Sequence, residues 1–417
     1  MISGALRPGD TVPSVRTLAR ELGLSPSTVA AAYRDLRQRG VLVTHDRSRT
    51  VVGNRPPLAV RLAYPIPDAL VDLATGNPDP RLLPALAPAL AQIRPRAHRY
   101  GDPVAVPALA DRFRAEFEAD GLDAGNVAIV GGALDGIERV LQVHLRVGDR
   151  VAVEDPGYAG TLDLVRALGL HTVPVAVDER GPRPESVAAA LRRGVEALVY
   201  VPRAQNPTGA AMDADRAGQL ASLLGDAPDL LVIEDDHAAP VAGAPRHGPL
   251  TARGRWAAVR SVGKWLGPQL RVAGLVGDED TVASVLGRQR LGTGWVSQLL
   301  QEVVADTWAR SEADGTLERA SAAYRQRREA LIGALAAEDL AASGASGLNV
   351  WVPVAQEVPV VQGLAERGWA VQAGEAFRLE SPPAVRLTVS GFDLADAEGL
   401  ARDLGEVLDR RLGSRRG

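Results

Sequence analysis

The strongest constraint on the fold is a series of short apolar runs between residues 126 and 263, such as Leu198-Val199-Tyr200-Val201 and Leu230-Leu231-Val232-Ile233. They are apolar at consecutive positions, as in a strand covered on both faces, and do not alternate as a half-wet strand does. The runs at 126–132, 150–156, 171–177, 196–202, 229–236 and 257–263 alternate with stretches of helical spacing at 133–145, from about Ala159, at 184–194 and at 213–225. That alternation predicts an α/β domain around a largely parallel sheet. Ligands of such sheets bind beyond the C-terminal ends of the strands. The residues with chemical capability fall at those ends: Gly131-Gly132, Asp155, Asn206, Asp235 and Lys264.

Lys264 is the only lysine; the chain has 47 lysines plus arginines, so 46 are arginine. An amine can lose its proton and attack a carbonyl, whereas a guanidinium stays protonated. Its surroundings suit a phosphorylated aldehyde. Ser261 and Arg271 offer a hydroxyl and a guanidinium to a phosphate, and Gly132-Ala133-Leu134 places a glycine and backbone amides at a helix start. Asp235 ends an apolar strand, where a carboxylate can keep a heteroaromatic nitrogen protonated. Asn206, in Asn206-Pro207-Thr208-Gly209, can donate to a phenolate oxygen. Each signal has a plain alternative. The Asn-Pro-x-Gly stretch is good turn chemistry, a strand-end aspartate caps loops, and Gly-Ala at a helix start is common.

The N-terminal stretch is a separate module. Ser14 predicts an N-cap for a helix to about Leu22, ended by Gly23, and Ser25 caps a second helix with Pro26 at its first position, ended by Gly40. Two strands, 41–45 and 49–53, follow as a wing with Arg47 and Arg49. Residues 1–53 carry eight arginines against four acids, a charge of +4, so the rest of the chain carries −8 of the net −4. A basic head on an acidic body implies an anionic partner for the head. Residues 54–69, with four prolines, read as a linker, and 70–417 as the body. The absence of cysteine removes thiolate metal sites and fits a cytoplasmic protein. Six scattered histidines argue against a catalytic zinc site, so no metal is expected. No stretch reaches the ~18 apolar residues of a membrane span, and the N-terminus lacks the pattern of a signal peptide.

Residues 8–53 resemble the winged helix of GntR-type regulators. The resemblance is carried by Gly9, Pro13-Ser14-x-Arg16, Leu18-Ala19, Leu22-Gly23-x-Ser25, Thr28-Val29, Ala32-Tyr33, Leu36, Gly40 and Leu42. It implies double-stranded DNA as partner, met by Arg16, by Ser25, Ser27 and Thr28 at the start of the second helix, and by Arg47 and Arg49. The family usually has a further helix before this point, where only seven residues precede Pro8, and often an arginine where Pro26 stands. The first departure points to an upstream start or a weakened head, the second to a lost or moved contact.

From about residue 70 to 413 the set around Lys264 resembles fold-type I, aspartate-aminotransferase-like enzymes with large and small domains. Further matching stretches are Gly76-Asn77-Pro78, Tyr100-Gly101-Asp102-Pro103, Glu154-Asp155-Pro156-Gly157-Tyr158 and Ala384-Val385-Arg386-Leu387. The resemblance implies pyridoxal 5'-phosphate bound by Lys264, with Asp235, Asn206, Tyr158, Ser261, Arg271, Gly132, Ala133 and Leu134 around it and Tyr100 reaching the partner subunit's phosphate. It also implies Arg386, with Gly76, gripping a substrate carboxylate. Head and body together look like the MocR/GabR subfamily, typically homodimers that sense an amine, an amino acid or the cofactor itself. The alternative is a working aminotransferase with a vestigial head. His237 stands where the subfamily has a tyrosine on the phenolate, so titration near neutral pH is expected there. Gly263 and Gly160 replace a phosphate serine and an effector-binding arginine of some relatives.

Overall fold

A computed structural model describes residues 10–38, 42–45, 49–52, 66–94, 97, 99–250 and 254–413. In the head, α1 (Val15–Leu22) starts where Ser14 Oγ accepts from Thr17 N at 3.1 Å and stops at Gly23, whose φ of 65° suits glycine. Ser25 Oγ accepts from Thr28 N at 3.1 Å and caps α2 (Pro26–Gln38). Ala19, Val29, Tyr33, Leu42 and Val52 form the head's core, and the Tyr33 hydroxyl donates to Pro13 O at 2.8 Å. Strands β1 (Leu42–His45) and β2 (Arg49–Val52) make the expected antiparallel wing. Residues 10–12 add to its edge, with Val12 N donating to Thr50 O at 3.0 Å and Val52 N to Asp10 O at 2.7 Å. Gly40, Arg47 and most of the expected linker lie outside the described residues.

The body's strands are β3 (Val71–Leu73), β4 (Ala128–Val130), β5 (Arg150–Asp155), β6 (His171–Asp178), β7 (Gly181–Pro182), β8 (Ala197–Tyr200), β9 (Leu231–Asp235), β10 (Trp256–Ser261), β11 (Ala273–Gly277), β12 (Asn349–Pro353), β13 (Trp369–Ala373) and β14 (Ala384–Thr388). Eight of them form one sheet in the order β4-β11-β10-β9-β8-β5-β6-β7. Strands β10, β9, β8, β5 and β6 are parallel, as expected, while β11 runs antiparallel between β10 and β4. The apolar runs split residue by residue. Leu231 and Ile233 enter one core with Val151, Val153, Ala197 and Val199, and Val232 enters the opposite core with Ala152, Leu198 and Tyr200. Both faces are dry, which is why these strands are apolar at every position.

A second sheet, in the order β12-β14-β13-β3, builds the small domain with helices Thr316–Ala337, Glu357–Ala365 and Ala397–Gly413 over a separate core. Its strand β3 comes from the start of the body and pairs in parallel with β13. Among the described residues no helix is long and apolar enough to cross a membrane.

Gly274 in β11 lies under the ring of Phe113, and an added Cβ would fall inside van der Waals contact of three ring carbons. Gly274→Ala is therefore expected to destabilise the body by about 1–3 kcal/mol, measured as a lower urea midpoint with an unchanged slope.

Candidate functional site

The ends of β5, β8, β9 and β10, with the start of helix Ala133–His144, enclose a cavity of about 150 Å³. Ala133, Leu134, Tyr158, Asn206, Asp235, His237, Ser261, Lys264 and Arg271 line it, together with Asn77, Pro78, Gly263 and Pro268. Gly132 caps the helix start at φ 106°, and a Cβ there would come within 2.9 Å of Arg271 Nη2. Glycine thus lets the guanidinium lie against the helix N-terminus, and with Ser261 this corner has the chemistry of a phosphate cradle.

Lys264 follows β10 in a turn pinned by its neighbour. Trp265 is buried, donates Nε1–H to Ser261 O at 2.9 Å and packs edge-on against Trp308 with ring centroids 4.6 Å apart. Lys264 is left on the cavity side, where Nζ donates to Gly76 O at 2.5 Å. Burial, followed by the nearby Arg386 charge, pulls its pKa down to about 8. A useful fraction is then neutral amine near pH 7, the form that attacks a carbonyl.

Three consecutive acids, Glu234 to Asp236, stand at the end of β9, and their surroundings differ. Arg246 holds Glu234 through two bonds of 2.7 Å. Arg203 holds Asp236 with Nε on Oδ1 at 3.0 Å and Nη2 on Oδ2 at 2.8 Å, and Arg260 Nε reaches Oδ2 at 3.0 Å. Both arginines also meet Asp120, at 2.8 and 2.5 Å. Asp235, between them, is buried and its Oδ1 has no hydrogen-bond partner. Burial first, and the flanking anions Asp236 and Glu234 second, push its carboxyl up to about 7. An orphaned acid facing a cavity is what a protonated ring nitrogen requires as a partner. The residues present therefore fit pyridoxal phosphate.

His237 differs from the expectation of titration near neutral pH. Burial, with the Lys264 charge adding to it, lowers its pKa to about 4, so it is a neutral imidazole across the physiological range. Arg386 is buried on β14, with Nη1 donating to Asn206 Oδ1 at 3.1 Å, Nη2 to Ala74 O, and its guanidinium 4.7 Å from the Phe377 ring. A Cβ on Gly76, at φ 70°, would come within 3.2 Å of Arg386 Nη2, so this glycine makes room for the guanidinium. Burial lowers Arg386 to about 10, which leaves it cationic at neutral pH. At Gly160 a Cβ would come within 2.6 Å of the Tyr158 ring, so glycine there lets the ring lie against helix Ala159–Ala167.

Asp155 does not face the cavity, contrary to its place among the strand-end candidates. It accepts from the backbone of Leu379, Glu380 and Ser381. Tyr100 is 95 % exposed, edge-on to Trp295 at 5.9 Å, and does not line its own chain's cavity. Sequence reasoning missed Gln205, which donates to Glu154 Oε2 at 3.0 Å and Pro156 O at 2.8 Å and accepts from Thr208 N at 2.9 Å. It ties the loop carrying Asn206 to the one carrying Tyr158. Its only signal was its place beside Asn206. In the head, Arg16, Ser25, Ser27 and Thr28 are exposed on one chain segment around the α1–α2 turn. Ser25 Oγ is engaged with Ser27 Oγ at 2.8 Å and Thr28 Oγ1 at 2.7 Å. Arg47 lies outside the described residues, and for Arg49 only the backbone register opposite His45 is described.

Residues 68–404 match the family Aminotransferase class I and II, and residues 1–52 match Bacterial regulatory proteins, gntR family. The chain belongs to the aminotransferase class I and II family, in the MocR/GabR arrangement that joins this body to a GntR-type head. It is 38% identical, over 98% of its length and 96% of the relative's, to the vitamin B6 salvage pathway transcriptional repressor PtsJ of Salmonella typhimurium. It is 32% identical to the HTH-type transcriptional regulator TauR of Rhodobacter capsulatus, over 84% of this chain and 80% of that one. Among solved structures, the kynurenine aminotransferase of Pyrococcus horikoshii superposes with a TM-score of 0.75 at 22% identity, covering 82% of this chain and 92% of that one, a likeness of fold.

The raised Asp235 carboxyl makes a signed prediction. In the unfolded chain it ionises near about 4, so the cofactor-free fold holds an extra proton up to about pH 7. Its contribution to stability is full below the unfolded pKa and is lost as pH rises through the folded one. Asp235→Asn should therefore raise the urea midpoint of cofactor-free protein more at pH 8 than at pH 5. The same variant should weaken pyridoxal phosphate binding by at least about tenfold, since a neutral amide cannot pair with a pyridinium.

Proposed function

We propose that this chain is a pyridoxal-phosphate-dependent transcription regulator that binds double-stranded DNA through its winged helix and senses an amino acid, another amine or the cofactor through its body. One observation carries this reading. The same chain joins an exposed α2 start, Ser25 to Thr28, to a cavity lined by a half-buried lysine and an orphaned aspartate. When bound, pyridoxal phosphate supplies an aldehyde and an electron-withdrawing ring. Lys264 is the amine for the aldehyde, Asp235 the partner of the ring nitrogen, and Asn206 with neutral His237 the partners of the phenolate oxygen. Tyr158 covers the ring, while Ser261, Arg271 and the amides after Gly132 hold the phosphate. Arg386 is the carboxylate grip, with Gly76 beside it.

A ligand that binds one arrangement of the two body domains better than another shifts the population toward it, and the heads follow through the linker. Such a regulator acts in the cytoplasm as a homodimer, with Tyr100 completing the partner's phosphate site. The head spans 1–53, the linker 54–69 and the body 70–417. A second reading, with pyridoxal phosphate itself as the signal, is supported by the similarity to PtsJ of Salmonella typhimurium, a transcriptional repressor of the vitamin B6 salvage pathway.

The first test titrates the full chain onto DNA from the region of its own gene, with and without pyridoxal phosphate, for wild type and Lys264→Ala. The expected result is an affinity that changes with the cofactor in wild type only, together with a visible absorption band missing in the variant. A visible band with no DNA binding, and turnover with an oxo-acid acceptor, would overturn the regulator reading in favour of an aminotransferase. Arg16→Ala should weaken DNA binding about equally across sequences and lower the slope of log affinity against log salt by about one. An unchanged slope would remove Arg16 from the phosphate contacts.

A further inference from the structure

Asp155 is a buried carboxylate that the cofactor site does not use. It ends β5 in the large domain, and its bonds run to the small domain. Oδ1 accepts from Leu379 N at 2.8 Å and from Ser381 Oγ at 2.8 Å, and Oδ2 from Glu380 N at 2.7 Å and Ser381 N at 2.9 Å. These donors belong to segment 374–383, which joins β13 to β14. The other side of that segment is held by a small-domain carboxylate. Glu357 accepts from Glu375 N at 2.7 Å, Arg378 Nε at 2.8 Å and Ala384 N at 3.2 Å. One carboxylate from each domain thus grips a single bridging segment.

The segment leads directly to the ligand site. Its Phe377 lies 4.7 Å from the guanidinium of Arg386 and edge-on to Trp351 at 6.3 Å, and its carbonyl accepts from Gly157 N at 2.8 Å. Leu379 packs against the large-sheet core. On its outer side the segment borders an open cavity of about 730 Å³ that Asp155, Ser381 and Ala384 help to line. Phe377 packs with Ala159 and Leu379 with the large-sheet core, and on the cavity side the directional bonds of Asp155 hold residues 379–381. A carboxylate accepting from several backbone amides makes charge-assisted bonds, stronger than neutral ones.

We propose that Asp155 is a positioning residue for carboxylate recognition: it fixes segment 377–381 against the large domain and so sets where Phe377 and Arg386 stand relative to the cofactor cavity. Asp155 acts through other residues and touches neither cofactor nor ligand. The proposal rests on the reading of Arg386 as the carboxylate grip. It separates two affinities. Lys264, Asp235 and the phosphate corner are carried by large-domain elements and keep their places, while the carboxylate end of the ligand loses its register.

The experiment uses the full chain loaded with pyridoxal phosphate. The twenty common L-amino acids are titrated against the wild-type visible spectrum, and the one that perturbs it most is the probe. Asp155→Asn keeps the size but turns one acceptor oxygen into a donor, leaving at least one amide unpaired. The expected result is a probe half-saturation raised by about tenfold or more, with pyridoxal phosphate affinity held within about twofold. Ser381→Ala loses one hydrogen bond and keeps the backbone contacts, so its half-saturation should rise less. In wild type, hydrogen exchange at the amides of residues 379–381 should slow when the probe binds. Equal half-saturation in wild type and both variants overturns the positioning role, and so does a parallel loss of cofactor affinity. If no amino acid perturbs the wild-type spectrum, the carboxylate role of Arg386 falls and this inference falls with it.

Discussion

The site depends on how the fold handles three adjacent carboxyl groups at the end of one buried strand. An unpaired carboxylate in the interior is expensive, and neighbouring anions make it more so. The fold neutralises the outer two with arginines from β10, from the loop after β8 and from residue 246, and gives the middle one no partner. Removing one member of such a buried pair is strongly destabilising, even though the pair adds little against an apolar replacement. The clamps on Glu234 and Asp236 therefore serve orientation more than stability. They hold the strand end so that Asp235 faces the cavity, and they keep two anions beside it that favour its pairing with a cation.

The same logic places the lysine. Burial strips the ammonium of water, and the Arg386 guanidinium nearby opposes its charge. Two cationic side chains are kept near each other, a costly arrangement that suits a site where an amine is to be available as a nucleophile. Neutral His237 belongs to this pattern, since the interior that lowers Lys264 also holds the imidazole uncharged.

The body's two domains are joined by polar bonds at several points, among them Ser346 with Ala204, Gly209 and Ala210. Segment 374–383 is held by Asp155 on one side and Glu357 on the other, and β14 delivers Arg386 from the small domain to Asn206 of the large one. Ligand charge, domain position and cofactor site thus meet over a short stretch of chain. That supplies a physical route by which a small molecule alters the disposition of the whole chain, as a regulator with a separate DNA-binding head requires.

Much of this was legible in the sequence because it rests on local rules. Consecutive apolar residues reported strands dry on both faces, Ser14, Gly23 and Ser25 reported helix ends, and a lone lysine among arginines pointed to a residue that the fold sets in the cavity. The strand ends then named the cavity's residues, because a parallel sheet delivers its C-terminal ends to one edge. The tertiary structure decided what depends on partners distant in the chain. Nothing near Arg203, Arg246 or Arg260 separates them from the other arginines; only folding brings them to Glu234 and Asp236. Asp155 shares its motif with Tyr158, yet its bonds lie in a segment more than 200 residues later. The antiparallel place of β11 and the pairing of β3 with β13 likewise come from long-range packing. His237 reads as a neutral-pH titrator from its residue type alone, and burial overrules that type. Residue type and spacing encode which groups a segment can offer, whereas charge state and partner are properties of the dielectric and the neighbours, and those exist only once the chain has folded.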